Sequence, residues 1–232
     1  MRFMDFRIIS IGTLAQHPLW GERTPVRTGH ATTTLVRSGD RTILVDPALP
    51  PQMLEARLAE RANLRPEQVT DVFLTSFRPE ARRAITLFET ATWWVSEQER
   101  EAVGTALALR LKKEVHEGEQ ADRQVVEALS QDVAILRRCK AAPDRLADHV
   151  DLFPMPGVTP GACGLLLENP RFTTVVCGDA IPTIEHLEQG MVLTPAADVD
   201  QARASMSEAV EVADLLVLGR DNLVVNPTKR PF

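Results

Sequence analysis

Leu74-Thr75-Ser76-Phe77-Arg78-Pro79-Glu80-Ala81 is the stretch that decides the fold of this chain. It follows an apolar run, Val69 to Thr75, whose β-branched and aromatic residues read as a short buried strand. It precedes a helix expected over Glu80 to Phe88. The octapeptide is therefore a strand-to-helix turn that delivers hydroxyl, guanidinium and carboxylate groups to one end of a sheet. Catalytic and binding groups concentrate on such loops because the sheet below them is rigid.

Working outward, the neighbouring segments continue the pattern. Upstream, Phe6 to Leu14 and Thr32 to Val36 read as strands, and the Ser38-Gly39-Asp40 turn leads into Thr42 to Val45, giving a β-hairpin. Asp46-Pro47 ends that strand, and Pro51 to Leu64 carries Met53, Leu54, Leu58 and Leu64 near helical spacing. Downstream, Thr92 to Val95 is a further strand. The consecutive Trp93 and Trp94 must point to opposite faces of it. Ser96 caps a charge-rich helical region that runs to about Lys140 and breaks at Gly118. Val103, Leu107, Leu109, Leu111 and Val115 mark its first helix, and Val125, Val126, Leu129, Val133 and Leu136 its second. Beyond Pro143, strands are expected at Val150 to Phe153, Gly164 to Leu167 and Thr173 to Cys177. Asp200 is expected to cap a helix to Ala213, before a last strand at Leu215 to Leu218. A two-layer sheet sandwich with outer helices accommodates this order.

Composition narrows the function classes. A chain of 232 residues, 44% hydrophobic, buries a full core, so disorder is excluded and a single domain over 1–232 with a helical insert at 96–142 is expected. The net charge of -6 argues against nucleic acid and anionic membranes as partners, because both demand excess positive charge. Met1 to Leu14 is interrupted by Arg2, Asp5 and Arg7, unlike a signal peptide, and no stretch approaches the ~20 apolar residues of a membrane span. A cytoplasmic location is the expectation. The 3 cysteines, Cys139, Cys163 and Cys177, show no paired zinc spacing and read as reduced; Cys163 and Cys177 suit small core positions.

Five strand-end segments occur in order: Leu44-Val45-Asp46-Pro47, the octapeptide above, Pro156-Gly157-Val158-Thr159-Pro160-Gly161, Cys177-Gly178-Asp179-Ala180, and Leu218-Gly219-Arg220-Asp221-Asn222. Together they resemble the metallo-β-lactamase fold superfamily, from about Phe6 to Pro227 with the insert set aside. The resemblance implies an α/β protein built as a four-layer αββα sandwich, with a site along one edge of the two sheets, and a metal-dependent hydrolase ancestry. It also implies where ligands would stand. The family pattern Thr-His-x-His-x-Asp-His falls on Ser76, Arg78, Glu80 and Ala81. The histidine of Pro-Gly-His-Thr falls on Val158, that of Gly-His-Asp-Asn on Arg220, and the bridging aspartate on Asp179. Asp179 and Glu80 are the only acidic remnants.

A catalytic zinc needs about three protein ligands and an open position for water. No metal and no cofactor are therefore expected, and catalytic residues stay unassigned. Arg78 and Arg220 carry fixed positive charge to the place where metals would neutralise Asp179 and Glu80, and arginine favours bidentate pairing with carboxylates. An arginine–carboxylate network is the expectation. With Arg82 and Arg83 close by, a small anionic ligand is the partner it would suit. The alternative is a divergent hydrolase with zinc or another divalent metal in a rearranged site around Asp46, Glu80, Asp179 and His186. A third reading is a structural protein that forms a homodimer through the helical insert, although packing of the insert on its own chain is simpler.

Each of these residues also has a plain structural reading. Asp179 could bind backbone amides at a strand end, Asp46 could terminate a strand, and Ser76 lacks an adjacent histidine base. His30, Glu185 and His186 could line the cleft or simply lie in packed loops.

Overall fold

The computed structural model describes residues 4–116 and 123–229. Its first sheet grows from the expected hairpin. β2 (Thr33–Ser38) and β3 (Arg41–Val45) pair antiparallel with Ser38 opposite Arg41. Gly39 and Asp40 alone make the turn, and Gly39 takes the left-handed φ of 59° that a side chain would resist. β1 (Asp5–Ser10) flanks β2 antiparallel, while β4 (Asp71–Leu74), β5 (Thr92–Val95) and β6 (Lys140–Ala141) extend the sheet in parallel beyond β3.

The second sheet holds β7 (Arg145–Ala147), β8 (Val150–Pro154), β9 (Cys163–Asn169), β10 (Phe172–Gly178), β11 (Leu215–Leu218) and β12 (Leu223–Val225). Its order is β12-β11-β10-β9-β8-β7, antiparallel except for the β10–β11 pair.

Strand periodicity sorts the core into three seams. Val36, Ile43, Val45 and Phe73 of the first sheet meet Val150, Leu165, Leu167, Val176 and Val217 of the second. The alternate residues Leu35, Leu44, Val72 and Leu74 face outward to α1 (Pro51–Ala62) and the insert. On the far side, Val175, Cys177, Leu216 and Leu218 pack under α6 (Val199–Val212). The result is the four-layer αββα sandwich, with both sheets buried on two faces.

The remaining helices are α2 (Pro79–Arg82), α3 (Glu97–His116), α4 (Arg123–Arg138) and α5 (Ile184–Gln189). Ser96 caps α3, accepting the Glu99 amide at 3.1 Å. The expected break at Gly118 lies outside the described residues. The helical segment packs on its own chain: Ile135, Leu136 and Cys139 join the outer core of the first sheet, and the Arg138 guanidinium stacks 3.9 Å over the buried Trp93. Trp94 faces the other way, its indole N–H bonded to Asp71. None of the described helices is long and apolar enough to cross a membrane.

Several boundaries differ from expectation. The first strand stops at Ser10, because the Gly12 amide turns to the Thr32 hydroxyl and the chain leaves the sheet. The helix expected to reach Phe88 ends at Arg82, since the Ala84 amide donates to Pro47 O and breaks the helical ladder; a 3-10 turn, Ile85–Leu87, follows. The cap of α6 is Asp198, not Asp200: its carboxylate accepts the Gln201 amide three residues on, the spacing an N-cap requires.

Candidate functional site

Two glycines let the sheet ends meet. Gly178, at φ 53°, closes β10 so tightly against β4 that a Cβ would stand 2.4 Å from Thr75 Oγ1. A Cβ on Gly219 would stand 2.1 Å from Gly178 O. Asp179 and Arg220, the residues that follow them, are thereby brought together, although they leave β10 and β11 and lie 41 positions apart.

Their contact is a bidentate ion pair. Arg220 Nε donates to Asp179 Oδ1 at 2.6 Å and a terminal nitrogen to Oδ2 at 2.8 Å. The side chains are only 5% and 4% exposed. Arg78 reaches the same carboxylate from the other sheet, with one terminal nitrogen 3.4 Å from Oδ2. Its second nitrogen donates to Val158 O at 3.4 Å and Pro195 O at 3.1 Å. Burial would push the Asp179 carboxyl up, but the charges of Arg220 and Arg78 overcome it and hold the group below the usual carboxylate range. Arg220 moves the opposite way. Burial works against its charge, yet Asp179, with Glu80 and Asp46 behind it, raises its pKa.

Asp46 stands behind this pair. It ends β3 at φ 50°, a left-handed conformation that aspartate tolerates better than most residues. Its carboxylate accepts the Thr75 amide at 2.9 Å and the Thr75 hydroxyl at 2.6 Å, tying β3 to β4. Full burial pushes the carboxyl up to about 7, against the Thr75 bonds and with the help of the nearby Asp179 charge. A proton at neutral pH therefore resides partly on Asp46.

The other expected positions divide. Val158 and Ala81 are buried, and Ala81 packs with Ala31 and Ala48. Glu80 is half-buried, and its backbone carbonyl accepts the Ala31 amide. Ser76 is buried with no hydrogen-bond partner for its hydroxyl among the described residues. His30 turns both ring nitrogens to backbone carbonyls, of Thr28 and Ile11, and so does not face Asp179. Arg82 and Arg83 do not add charge to the cleft. Arg82 lies 4.3 Å over the Phe77 ring and pairs with Asp132 of α4 at 2.6 Å, and Arg83 donates to Gly29 O.

His186 belongs to a separate cluster. Its Nδ1 is 2.8 Å from Thr183 Oγ1, which also lies 3.2 Å from His17 Nε2 and donates to Glu185 at 2.7 Å. His17 stacks on Trp20 at 4.1 Å, and Trp20 donates to Glu185. Burial, then the neighbouring His17, push the His186 pKa down to about 4. Nothing in the spacing of His17-Pro18-Leu19-Trp20 announced this cluster.

A second residue escaped sequence reasoning altogether. Glu99, in the first turn of α3, is 1% exposed. One carboxylate oxygen accepts the Phe77 amide at 2.9 Å; the other accepts the Thr159 hydroxyl at 2.7 Å and the Gly161 amide at 3.1 Å. It thus braces both loops that carry Arg78 and Val158. A glutamate in a charge-rich helix reads as solvated, and only tertiary context marks it.

A divalent metal does not fit this donor set. Both Asp179 oxygens are occupied by guanidinium groups. Among the described residues no group of three or more His, Cys, Asp or Glu side chains could hold a metal ion. The rearranged site is not assembled either, because His186 turns to Thr183 and His17 rather than to Asp179.

No family model and no curated protein matches the sequence. Solved structures do match the architecture. A metallo-beta-lactamase-like protein of Thermotoga maritima is similar with a TM-score of 0.69 and 19% identity, over 97% of this chain and 100% of that one. AidC, a dizinc quorum-quenching lactonase, gives 0.61 and 19%, over 78% of this chain and 67% of that one. AbOPH, a hydrolase of the beta-lactamase superfamily, gives 0.60 and 13%, over 99% and 93%. Together with the sheet order and the edge position of Asp179, these likenesses give the chain the metallo-β-lactamase fold.

Proposed function

We propose that this protein is a metal-independent, non-hydrolytic relative of the metallo-β-lactamase-fold hydrolases, with a binding or regulatory role. One observation carries the reading: the buried carboxylate of Asp179, the residue that the family resemblance would make a metal ligand, has both oxygens taken by Arg220 and is also reached by Arg78. Such hydrolases rely on a metal to bring bound water to a pKa near 7. Here Asp46, behind the pair, is engaged with Thr75 and is fully buried. Arg78, with 24% of its side chain exposed, is the group through which a small anion would be sensed. The lactonase and hydrolase activities of the similar structures therefore do not transfer with the fold.

The test is metal content by elemental mass spectrometry on untagged protein, before and after incubation with zinc, manganese and iron. The expected result is below about a tenth of an equivalent of any of them. One or two equivalents that disappear in Asp179→Ala, with hydrolysis of a lactone or phosphotriester, would overturn the proposal.

A further inference from the structure

The helical insert holds a cavity of about 840 Å³ between α3 and α4. Its floor is apolar, made by Leu107 and Leu111 of α3 and Val133 and Leu136 of α4. Gly104 opens it further. A glycine inside a helix weakens it, yet this one has an ordinary φ, and a Cβ there would meet only Leu136 Cδ2, at 3.6 Å. Neither backbone conformation nor crowding requires a glycine at this point, and its effect is to leave room in the cavity.

The rim has one dominant sign. Arg100, Lys112 and Arg137 line it together with His116, against the single acid Glu101. Arg100 is fixed in place by donating from Nε to Cys139 O at 3.1 Å. No ion pair among the described residues engages Lys112 or Arg137. In a chain of net charge -6, this clustering of cations around an apolar hollow is local and opposite to the whole.

We propose that the α3–α4 cavity binds an amphipathic anion, a carboxylate on a linear alkyl chain, with the tail along the leucine and valine floor and the head on the cationic rim. The volume lies within the range of small-molecule sites, about 300–1,000 Å³. A second copy of the chain is the poorer occupant, because a two-fold contact through this face would set one basic rim against another.

The probe is dodecanoate, titrated calorimetrically into the full chain below its micellar concentration, with decanoate, octanoate and dodecanol for comparison. Affinity is expected to rise about fourfold per methylene from octanoate to dodecanoate, and dodecanol to bind at least about tenfold more weakly than dodecanoate. Lys112→Ala with Arg137→Ala, both at the rim, lowers dodecanoate affinity about tenfold or more. Gly104→Leu fills the hollow and abolishes binding without lowering Tm. Equal binding of acid and alcohol, or full binding by Gly104→Leu, would overturn the proposal. So would a dimer, seen by light scattering in place of the 25.7 kDa species, that Gly104→Leu dissociates.

Discussion

Replacing Arg220 with alanine tests the ion pair most directly. The guanidinium gives two hydrogen bonds to Asp179, and both side chains are at most 5% exposed. Its loss leaves a buried carboxylate whose remaining cation, Arg78, stands 3.4 Å away and is shared with two carbonyls. Breaking such a pair from one side costs roughly 3–5 kcal/mol. The residual Arg78 contact argues for about 3 kcal/mol, a fall in Tm of roughly 6–12 °C for a chain of this size. The pH dependence has a definite sign. In the native protein the Asp179 pKa is lowered, so its contribution is present above about 3.9 and fades as pH falls through the lower folded value. In Arg220→Ala burial dominates and the pKa is raised, so the carboxyl is tolerated when protonated, and the deficit grows as pH rises. Urea unfolding followed by circular dichroism at pH 4.5 and pH 8 measures both. Asp179→Leu combined with Arg220→Met removes the charge imbalance and should recover most of the loss. A single variant within about 0.5 kcal/mol of wild type, or a double variant no better than the single, would refute the reasoning.

Asp46 carries the opposite linkage. Its folded pKa of about 7 exceeds the unfolded value near 3.9, so its contribution is complete at low pH and is lost as pH rises between about 4 and 7. Asp46→Asn, suited to the left-handed φ, should flatten stability over that window by up to about 4 kcal/mol, read from denaturation midpoints against pH. Glu99→Ala strips the acceptor from two amides and a hydroxyl and should cost about 3 kcal/mol, with fast hydrogen exchange at Phe77 and Gly161; unchanged exchange there would count against the brace. Gly161→Ala places a Cβ 1.9 Å from the Glu99 amide and should displace the start of α3, seen as lost protection across Glu97–His116. The three cysteines are free and buried. Burial pushes the thiol of Cys139 up to about 11 and that of Cys163 up to about 12, so a thiol reagent should modify none of them until the chain unfolds.

The architecture was legible where the pattern is periodic. Leu44, Val72 and Leu74 against Ile43, Val45 and Phe73 announce a sheet covered on both faces. Short elements gave no such signal: β6, β7, β12 and α5 are 2, 3, 3 and 6 residues long, too brief for a period to register. At the site, the Arg220–Asp179 pairing followed from charge and position. His186 did not, because its partner His17 lies 169 residues earlier in a loop whose path no local preference dictates. Arg82 and Arg83 sit beside the cleft in sequence, but helix geometry turns them away. Glu99 needed knowledge of which helix face meets the sheets.

The brace made by Glu99 ties the start of α3 to the two loops that carry Arg78 and Val158. Without α3, the amides of Phe77 and Gly161 and the hydroxyl of Thr159 would lose this acceptor, and a dry interior does not tolerate orphaned donors. Any shortening of α3 at its start would therefore need compensating changes in the segments 76–78 and 156–161. Chimaeras that exchange α3 alone should fold poorly until those turns are exchanged as well.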